Sequence, residues 1–280
     1  RPGGRRGEAE RGSAARRAAS PPLDAACSAI RHEEGSLSLL RLKSVSKSYW
    51  RGPRELRVLR GASLEVDSGS LVSVYGPRSS GKTSLLEIAG GFQRPDAGQV
   101  VFDGSDLAGL PDRDLARVHR DDVGWVERAG PHSSQLTVAA YVALPLYRRL
   151  GPRRSHRRAL DALAAQGIEQ CAERRWQDLS DDVRALVAIV AAMVREPKLL
   201  IADDPTAGLG MIDRERVCAV LRSAAEDEGV AVLMAVPDMP SMLQAHDVRL
   251  LSRGRLLGPA QPEDYSGATV VDFPGGRRSA

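Results

Sequence analysis

Hydrophobic patterning begins at about residue 37 and divides the chain into three parts. Residues 1–36 are rich in Arg, Ala, Gly, Ser and Pro and have no sustained hydrophobic period. We expect a disordered basic extension there, because so little apolar surface cannot offset the entropy of ordering. Residues 37–258 carry periodic apolar segments and are predicted to form one folded domain. Residues 259–280 are rich in Pro and Gly, which predicts a loose C-terminal tail.

Short apolar runs at both ends of the central part predict β-structure. Between residues 37 and 69 these runs are bounded by glycines and a proline, as in β-hairpins. Residues 71–75 form a buried strand in this pattern, and a Gly/Ser loop separates them from apolar residues at helical spacing. Residues 199–202 and 230–236 predict two central parallel strands joined by a helix around residues 213–228. Residues 248–257 predict a closing hairpin.

The segment between these strands is predicted to be mainly helical. It covers roughly residues 107–195, with breaks near Gly130-Pro131 and Gly151-Pro152. The alternation of strands and helices favours an α/β fold with a mainly parallel sheet. A small antiparallel β subdomain precedes this core, and a helical insertion occupies about residues 135–180.

The net charge suggests an acidic partner until its location is considered. Lys and Arg total 40 against 36 acidic residues, a formal charge of +4. Residues 1–20 hold six Arg and two Glu, so the other 260 residues carry 34 groups of each sign. The basic N-terminus invites a nucleic-acid-associated function, but the remainder is neutral and shows no basic groove with interleaved aromatics. We therefore expect no nucleic-acid partner.

Cysteine usage and run length limit the compartment. Cys27, Cys171 and Cys218 are far apart and form no CxxC or Cys/His cluster. Neither a disulfide framework nor a zinc site is predicted, which favours a reducing, cytoplasmic compartment. The apolar runs are too short to cross a bilayer, so work at a membrane would be that of a peripheral subunit.

A phosphate-binding motif follows the strand at residues 71–75. The motif G-x-x-x-x-G-K-[ST] is matched without exception and lies between a predicted strand and a predicted helix, as its chemistry requires. Its backbone N–H groups and the helix N-terminus attract phosphate oxygens, its lysine neutralises the β- and γ-phosphates, and its threonine offers a hydroxyl to Mg²⁺. The predicted ligand is a nucleoside triphosphate with Mg²⁺. The predicted binding residues are Gly76, Pro77, Arg78, Ser79, Ser80, Gly81, Lys82, Thr83 and Ser84.

A carboxylate for the metal is expected at the end of a hydrophobic strand. Asp203 directly follows the apolar run at residues 199–202, and we predict that it binds Mg²⁺ through water, together with Thr83. Asp204, the next residue, is the candidate to position the attacking water.

These residues resemble the nucleotide-binding subunit of ABC transporters, especially the branch that serves lipoprotein release, macrolide export and cell division. The likeness covers about residues 38–258 and rests on four further segments, at 45–49, 58–64, 136–146 and 197–206. It implies a P-loop NTPase core that binds ATP and Mg²⁺, with the adenine stacked on Tyr49. It also implies a dimer that sandwiches two ATP, each between one phosphate loop and the partner's signature segment. An integral membrane permease at the inner face of the cell membrane is the implied partner.

The chain departs from that family at the signature segment. The family's Leu-Ser-Gly-Gly-Gln corresponds here to Leu179, Ser180, Asp181, Asp182 and Val183. Two carboxylates in place of glycines should repel and crowd the partner's γ-phosphate. They suit the first turn of a helix, and Ser180 suits its N-cap, so we expect the helix to form and anion binding to be lost.

Four other family positions are also changed. The catalytic glutamate corresponds to Asp204, which is shorter by one carbon–carbon bond of about 1.5 Å. The switch histidine corresponds to Pro237. The glutamine that senses Mg²⁺ corresponds to Arg128, or to Glu127 if the register shifts by one. The aspartate that crosses the dimer interface corresponds to Gly210.

The family positions that hold ATP are therefore kept in this chain, whereas the family positions that hydrolyse ATP and report its presence are changed. We therefore predict an ATP-binding subunit of an ABC transporter that couples Mg-ATP to a permease with weak or no turnover. The alternative is a non-hydrolysing partner of an intact ABC ATPase in a heterodimer.

Overall fold

Two β-sheets organise the chain, and the larger one carries the candidate site at one edge. The computed structural model describes residues 38–126 and 135–259. One sheet has four strands in the order β2-β1-β4-β5, and the other has six in the order β10-β9-β3-β8-β7-β6. The strands are β1 (Leu40–Arg51), β2 (Arg54–Val66), β3 (Leu71–Tyr75), β4 (Ala97–Phe102), β5 (Ser105–Asp106), β6 (Val123–Val126), β7 (Leu199–Asp203), β8 (Ala231–Val236), β9 (Asp247–Ser252) and β10 (Arg255–Pro259).

The six-stranded sheet confirms the predicted parallel core. β3 pairs in parallel with β8 and β9, and β7 pairs in parallel with β8 and β6. β10 is antiparallel to β9 and completes the predicted closing hairpin. The four-stranded sheet is antiparallel throughout, as predicted for the subdomain that precedes the core.

The strand β6 was not predicted. Val123–Val126 lies in the segment that the sequence assigns mainly to helix, yet it forms β6 and pairs with residues 199–202 of β7. A run of four residues is too short for periodicity to distinguish a strand from a helix. Pairing with β7 makes these residues a strand. Glycine at position 124 allows the close approach of this strand to the helix Asp181–Met193, because a Cβ there would lie 2.9 Å from the Ala192 carbonyl oxygen.

Seven α-helices surround the sheets in the described ranges. They are α1 (Lys82–Ala89), α2 (Asp112–Asp121), α3 (Val138–Ala143), α4 (Tyr147–Ala165), α5 (Asp181–Met193), α6 (Met211–Glu226) and α7 (Met239–Met242). The predicted break near Gly151-Pro152 is a kink inside α4, where Gly151 has φ 73°. No helix in these ranges is both long enough and apolar enough to span a bilayer.

The central strands are buried on both faces because helices cover both sides of the parallel sheet. In β7, Leu199 and Ile201 join one apolar cluster, while Leu200 and Ala202 join the other. α1 packs in the first cluster, and α5 and α6 pack in the second. The carboxyl ends of β3, β8 and β7 therefore lie side by side, in that order, at one edge of the sheet.

Candidate functional site

The phosphate loop connects β3 to α1 through two residues with positive φ. Ser79 has φ 63° and Gly81 has φ 104°. Glycine is required at position 81, because a Cβ there would lie 2.7 Å from Val58 Cγ1 and 3.1 Å from the Val58 carbonyl oxygen. Ser79 has the left-handed conformation that favours glycine and yet carries a side chain.

The N-terminus of α1 opens from this loop without a competing side chain. Gly81 is its N-cap residue, no side chain caps it, and its first turn contains no acidic residue. The first N–H groups of a helix have no partner within the helix and carry positive partial charge. This end of α1 therefore has the free N–H donors and the partial charge that would suit a phosphate, at the position where the sequence predicts one.

Lys82 extends back across the loop. Its Nζ donates to the carbonyl oxygens of Gly76 at 2.8 Å and Pro77 at 3.1 Å, and only 7% of the residue is exposed. Burial lowers the pKa of Lys82, while the carboxylates of Asp204 and Asp203 oppose that shift. A desolvated cation is therefore held at the centre of the loop.

Thr83 and Asp203 meet at the edge of the sheet, as the sequence predicts. Thr83 Oγ1 donates to Asp203 Oδ2 at 2.6 Å. Hydroxyl and carboxylate oxygens are hard ligands of the kind Mg²⁺ prefers, usually completed by water and substrate phosphate. Within residues 38–126 and 135–259, no cluster of three or more His, Cys, Asp or Glu could hold a metal alone. The Thr83–Asp203 pair fits a Mg²⁺ ion whose other ligands are water and phosphate.

Asp204 continues from Asp203 in a left-handed conformation. Its φ is 50°, and its N–H donates to the Ala235 carbonyl oxygen on β8 at 2.9 Å. Asp tolerates this conformation better than most residues. Its carboxylate acts electrostatically on Lys82, which places it close to the phosphate loop.

The side chains of the phosphate loop and of the two aspartates line one cavity of about 650 Å³. The sequence-predicted residues Lys82, Thr83, Asp203 and Asp204 all line it, as do Arg78, Ser79, Gly81 and Ser84. Val58 on β2 also lines the cavity, a contribution that the sequence did not predict because it depends on the packing of the antiparallel subdomain.

Tyr49 lies beside the start of α1. Its hydroxyl is 3.0 Å from Ser84 Oγ and donates to Gln93 Oε1 at 2.6 Å. Lys47 Nζ lies 5.9 Å from the centre of its ring. The ring is thus attached to the helix that follows the phosphate loop, although it does not belong to the described lining of the cavity. The adenine-stacking role of Tyr49 stays a prediction.

The acidic segment at the start of α5 is bonded within its own chain. Ser180 is the N-cap residue, as predicted, but its side chain makes no capping hydrogen bond. The Asp181 carboxylate accepts from Arg184 Nη1 at 3.0 Å, and the same guanidinium donates to the carbonyl oxygens of Trp176 and Gln177. Asp181 and Asp182 occupy the first turn, where negative charge stabilises a helix.

The loop after β8 is joined to the segment after Asp204. Pro237 follows β8 directly, and Asp238 caps α7 by accepting from the Ser241 N–H at 2.9 Å. Asp238 also pairs with Arg214 at 3.0 Å, and Arg214 Nη2 donates to the Leu209 carbonyl oxygen at 3.0 Å. Gly210 is the N-cap residue of α6. Arg128 and Glu127, the alternatives for the family's glutamine, lie outside the described residues.

We expect Cys218 to resist alkylation in the folded protein. Its burial in α6 raises the pKa of the thiol from 9.0 to about 11, so at pH 8 the thiolate fraction falls about 100-fold, and the thiolate is the reactive form. Iodoacetamide labelling followed by peptide mass spectrometry checks this. Labelling of Cys218 in the folded chain as fast as in urea would contradict it.

The chain is similar in sequence to a known protein family and to several curated proteins. A family model described as ABC transporter matches residues 59–207. The lipoprotein-releasing system ATP-binding protein LolD of Ruegeria sp. (strain TM1040) is 33% identical over 220 residues, 78% of this chain and 97% of that protein. The methionine import ATP-binding protein MetN 1 of Rhodococcus jostii (strain RHA1) is 32% identical over 222 residues, 78% of this chain and 65% of that protein.

A solved structure gives the same result for the fold. The dimeric post-hydrolysis state of the ATP-binding cassette MJ0796, bound to ADP and Pi, matches with a TM-score of 0.70 and 28% identity, covering 78% of this chain and 96% of that one. The likeness confirms the predicted α/β core. The family match includes the phosphate loop and both aspartates at the end of β7.

Proposed function

This chain belongs to the ABC transporter family, and from that premise we propose that it binds Mg-ATP and couples it to an integral membrane permease with little or no hydrolysis. Its place would be peripheral, on the cytoplasmic face of the cell membrane. It would act as a dimer, either with a second copy or with another ABC ATPase subunit.

One observation carries the binding part of this proposal. The cavity brings together the buried cation of Lys82, the uncapped N-terminus of α1 and the Thr83–Asp203 pair. Each supplies what one part of Mg-ATP needs: charge neutralisation, N–H donors for phosphate oxygens, and oxygen ligands for the metal. Tyr49, held against Ser84, is the proposed platform for adenine.

The weak hydrolysis rests on the groups that would handle the attacking water. Asp204 occupies the position next to the metal carboxylate, but its side chain is shorter than that of the family's glutamate. A misplacement of the order of 1 Å can cost roughly 10²-fold in rate. Pro237, at the end of the neighbouring strand β8, has no side-chain group that could contact a γ-phosphate or transfer a proton.

Calorimetric titration of the full chain with MgATP tests binding, and a steady-state phosphate assay tests turnover. We expect saturable binding below millimolar concentration, with phosphate release near the background of the Lys82→Ala variant. Absence of binding at millimolar MgATP would contradict the proposed function. Sustained release well above that background would contradict the weak-hydrolysis part alone.

A heterodimeric role is favoured by the acidic start of α5. Asp181 and Asp182 give this chain a negative helix N-terminus where the family resemblance expects glycines facing a partner's ATP. This chain's own phosphate loop could still pair with an intact signature on another subunit. Mixing it with an ABC ATPase encoded by a neighbouring gene should give an ATP-dependent heterodimer in size-exclusion chromatography. If only the homodimer forms with ATP, the heterodimeric alternative is wrong.

Coupling to a permease has a separate test. Co-expression with a membrane permease encoded beside this chain should retain the chain in the detergent-extracted complex, and washing at high salt should not release it. A chain that stays entirely in the supernatant under these conditions would contradict the coupling.

A further inference from the structure

Arg78 is a positively charged residue of the phosphate loop that has no oppositely charged partner among the described residues. It is exposed at the cavity lining, and among the described residues its guanidinium makes no hydrogen bond or ion pair. By contrast, Arg214 pairs with Asp238 and Arg249 pairs with Asp247. A guanidinium that lines a cavity and has no partner in the described part of the chain is available to a ligand.

The turn that carries Arg78 fixes where it stands. The Ser80 N–H donates to the Pro77 carbonyl oxygen at 3.2 Å, so Arg78 and Ser79 are the two central residues of a turn. Ser79 takes the left-handed conformation, with φ 63°. The turn sets Arg78 at the tip of the loop, outside the buried Lys82.

The charges of the lining show what Arg78 changes. The ionised groups are Arg78 and Lys82 against Asp203 and Asp204, so the cavity is electrically balanced. Without Arg78, one cationic side chain would stand against two carboxylates, and the attraction of the cavity for a polyanionic ligand would be weaker. That difference grows with each negative charge the ligand carries.

The two cations also differ in availability. Lys82 is buried and already donates to two loop carbonyls, whereas Arg78 has all its donors free within the described residues. The positive charge of Arg78 contributes to the lowered pKa of Lys82, which places the two groups within electrostatic reach of each other. A guanidinium presents five donors in a planar fork that matches phosphate oxygens.

We propose that Arg78 is a phosphate-binding residue that makes the cavity prefer nucleoside triphosphate over diphosphate. The guanidinium comes from the chain whose phosphate loop holds the nucleotide, and it pairs with the outermost phosphate. This contact offsets the repulsion between that phosphate and the carboxylates of Asp203 and Asp204. The inference rests on the proposed binding of Mg-ATP, and it adds a specificity-determining side chain to the loop's backbone cradle.

The test compares MgATP and MgADP affinities by calorimetry on the full chain with Arg78→Ser, Arg78→Lys and the matched control Arg113→Ser. Arg113 is exposed on α2 and lies outside the cavity. We expect Arg78→Ser to weaken MgATP binding about 10-fold or more, since it removes a charge-assisted contact to phosphate. We expect less than about threefold for MgADP, partial recovery with Arg78→Lys, and no change with Arg113→Ser.

Thermal melting of the nucleotide-free variants should be unchanged, because Arg78 is exposed and makes no hydrogen bond or ion pair within residues 38–126 and 135–259. Equal losses for MgATP and MgADP, or no loss for either, would overturn the role of Arg78. If Lys82→Ala abolishes MgATP binding while Arg78→Ser leaves it intact, only this inference fails. If wild-type chain binds neither nucleotide, the proposed function fails with it.

Discussion

Lys82→Ala should weaken MgATP binding at least about 100-fold, which corresponds to about 2.7 kcal/mol. The lysine is the buried cation of the loop, and its Nζ donates to the carbonyl oxygens of Gly76 at 2.8 Å and Pro77 at 3.1 Å. A cation that is already desolvated loses little more solvation when phosphate binds, so its attraction to phosphate is strong. Alanine removes that charge and leaves Asp203 and Asp204 facing the ligand.

Calorimetry of the full chain with MgATP checks this expectation, and Lys43→Ala is its matched control. Lys43 is exposed on β1 and does not line the cavity, so its replacement should leave the affinity unchanged. Alanine is a good helix former at the first position of α1, and the melting temperature of Lys82→Ala should therefore stay close to that of the wild type. An affinity within threefold of the wild type would show that phosphate does not bind at this loop.

The phosphate loop was predictable because its chemistry is local. A strand, a Gly-rich turn and a helix follow one another in the sequence, so the motif fixes both the elements and the ligand class. The meeting of Thr83 with Asp203 was also predictable, although 120 residues separate them. Parallel strands bring their carboxyl ends to one edge of a sheet, and the topology places β3 and β7 on either side of β8.

Contacts that depend on packing between distant elements were not predictable. The Tyr49–Gln93 hydrogen bond joins residues 44 apart, and the pairing of Arg214 with Asp238 needs α6 to lie against the loop after β8. β6 was missed for a related reason: four residues carry too little pattern, and pairing with β7 makes them a strand. The sequence thus predicts the groups that bind a ligand better than the groups that hold those groups in place.

The four-residue variant Asp181→Gly, Asp182→Gly, Asp204→Glu and Pro237→His should hydrolyse ATP at least about 100-fold faster than the wild type, since correct placement of one catalytic group can account for roughly 10²-fold. The glutamate lengthens the side chain beside the metal carboxylate, and the histidine supplies a polar group at the end of β8. The glycines remove negative charge from the start of α5. A steady-state phosphate assay on the full chain measures the effect.

Partial variants separate these contributions. Asp204→Glu with Pro237→His alters only the cavity edge of one chain, so it should raise turnover only when an intact signature is supplied by another ABC ATPase. Asp181→Gly with Asp182→Gly should strengthen ATP-dependent self-association without raising turnover. It should also lower the melting temperature, because it removes two negative charges that stabilise the first turn of α5 and the ion pair with Arg184. Adding Lys82→Ala to the four-residue variant should return phosphate release to background. If the four-residue variant without Lys82→Ala binds MgATP like the wild type and still releases phosphate at the wild-type rate, these four positions do not limit hydrolysis. The limiting group must then lie elsewhere in the chain.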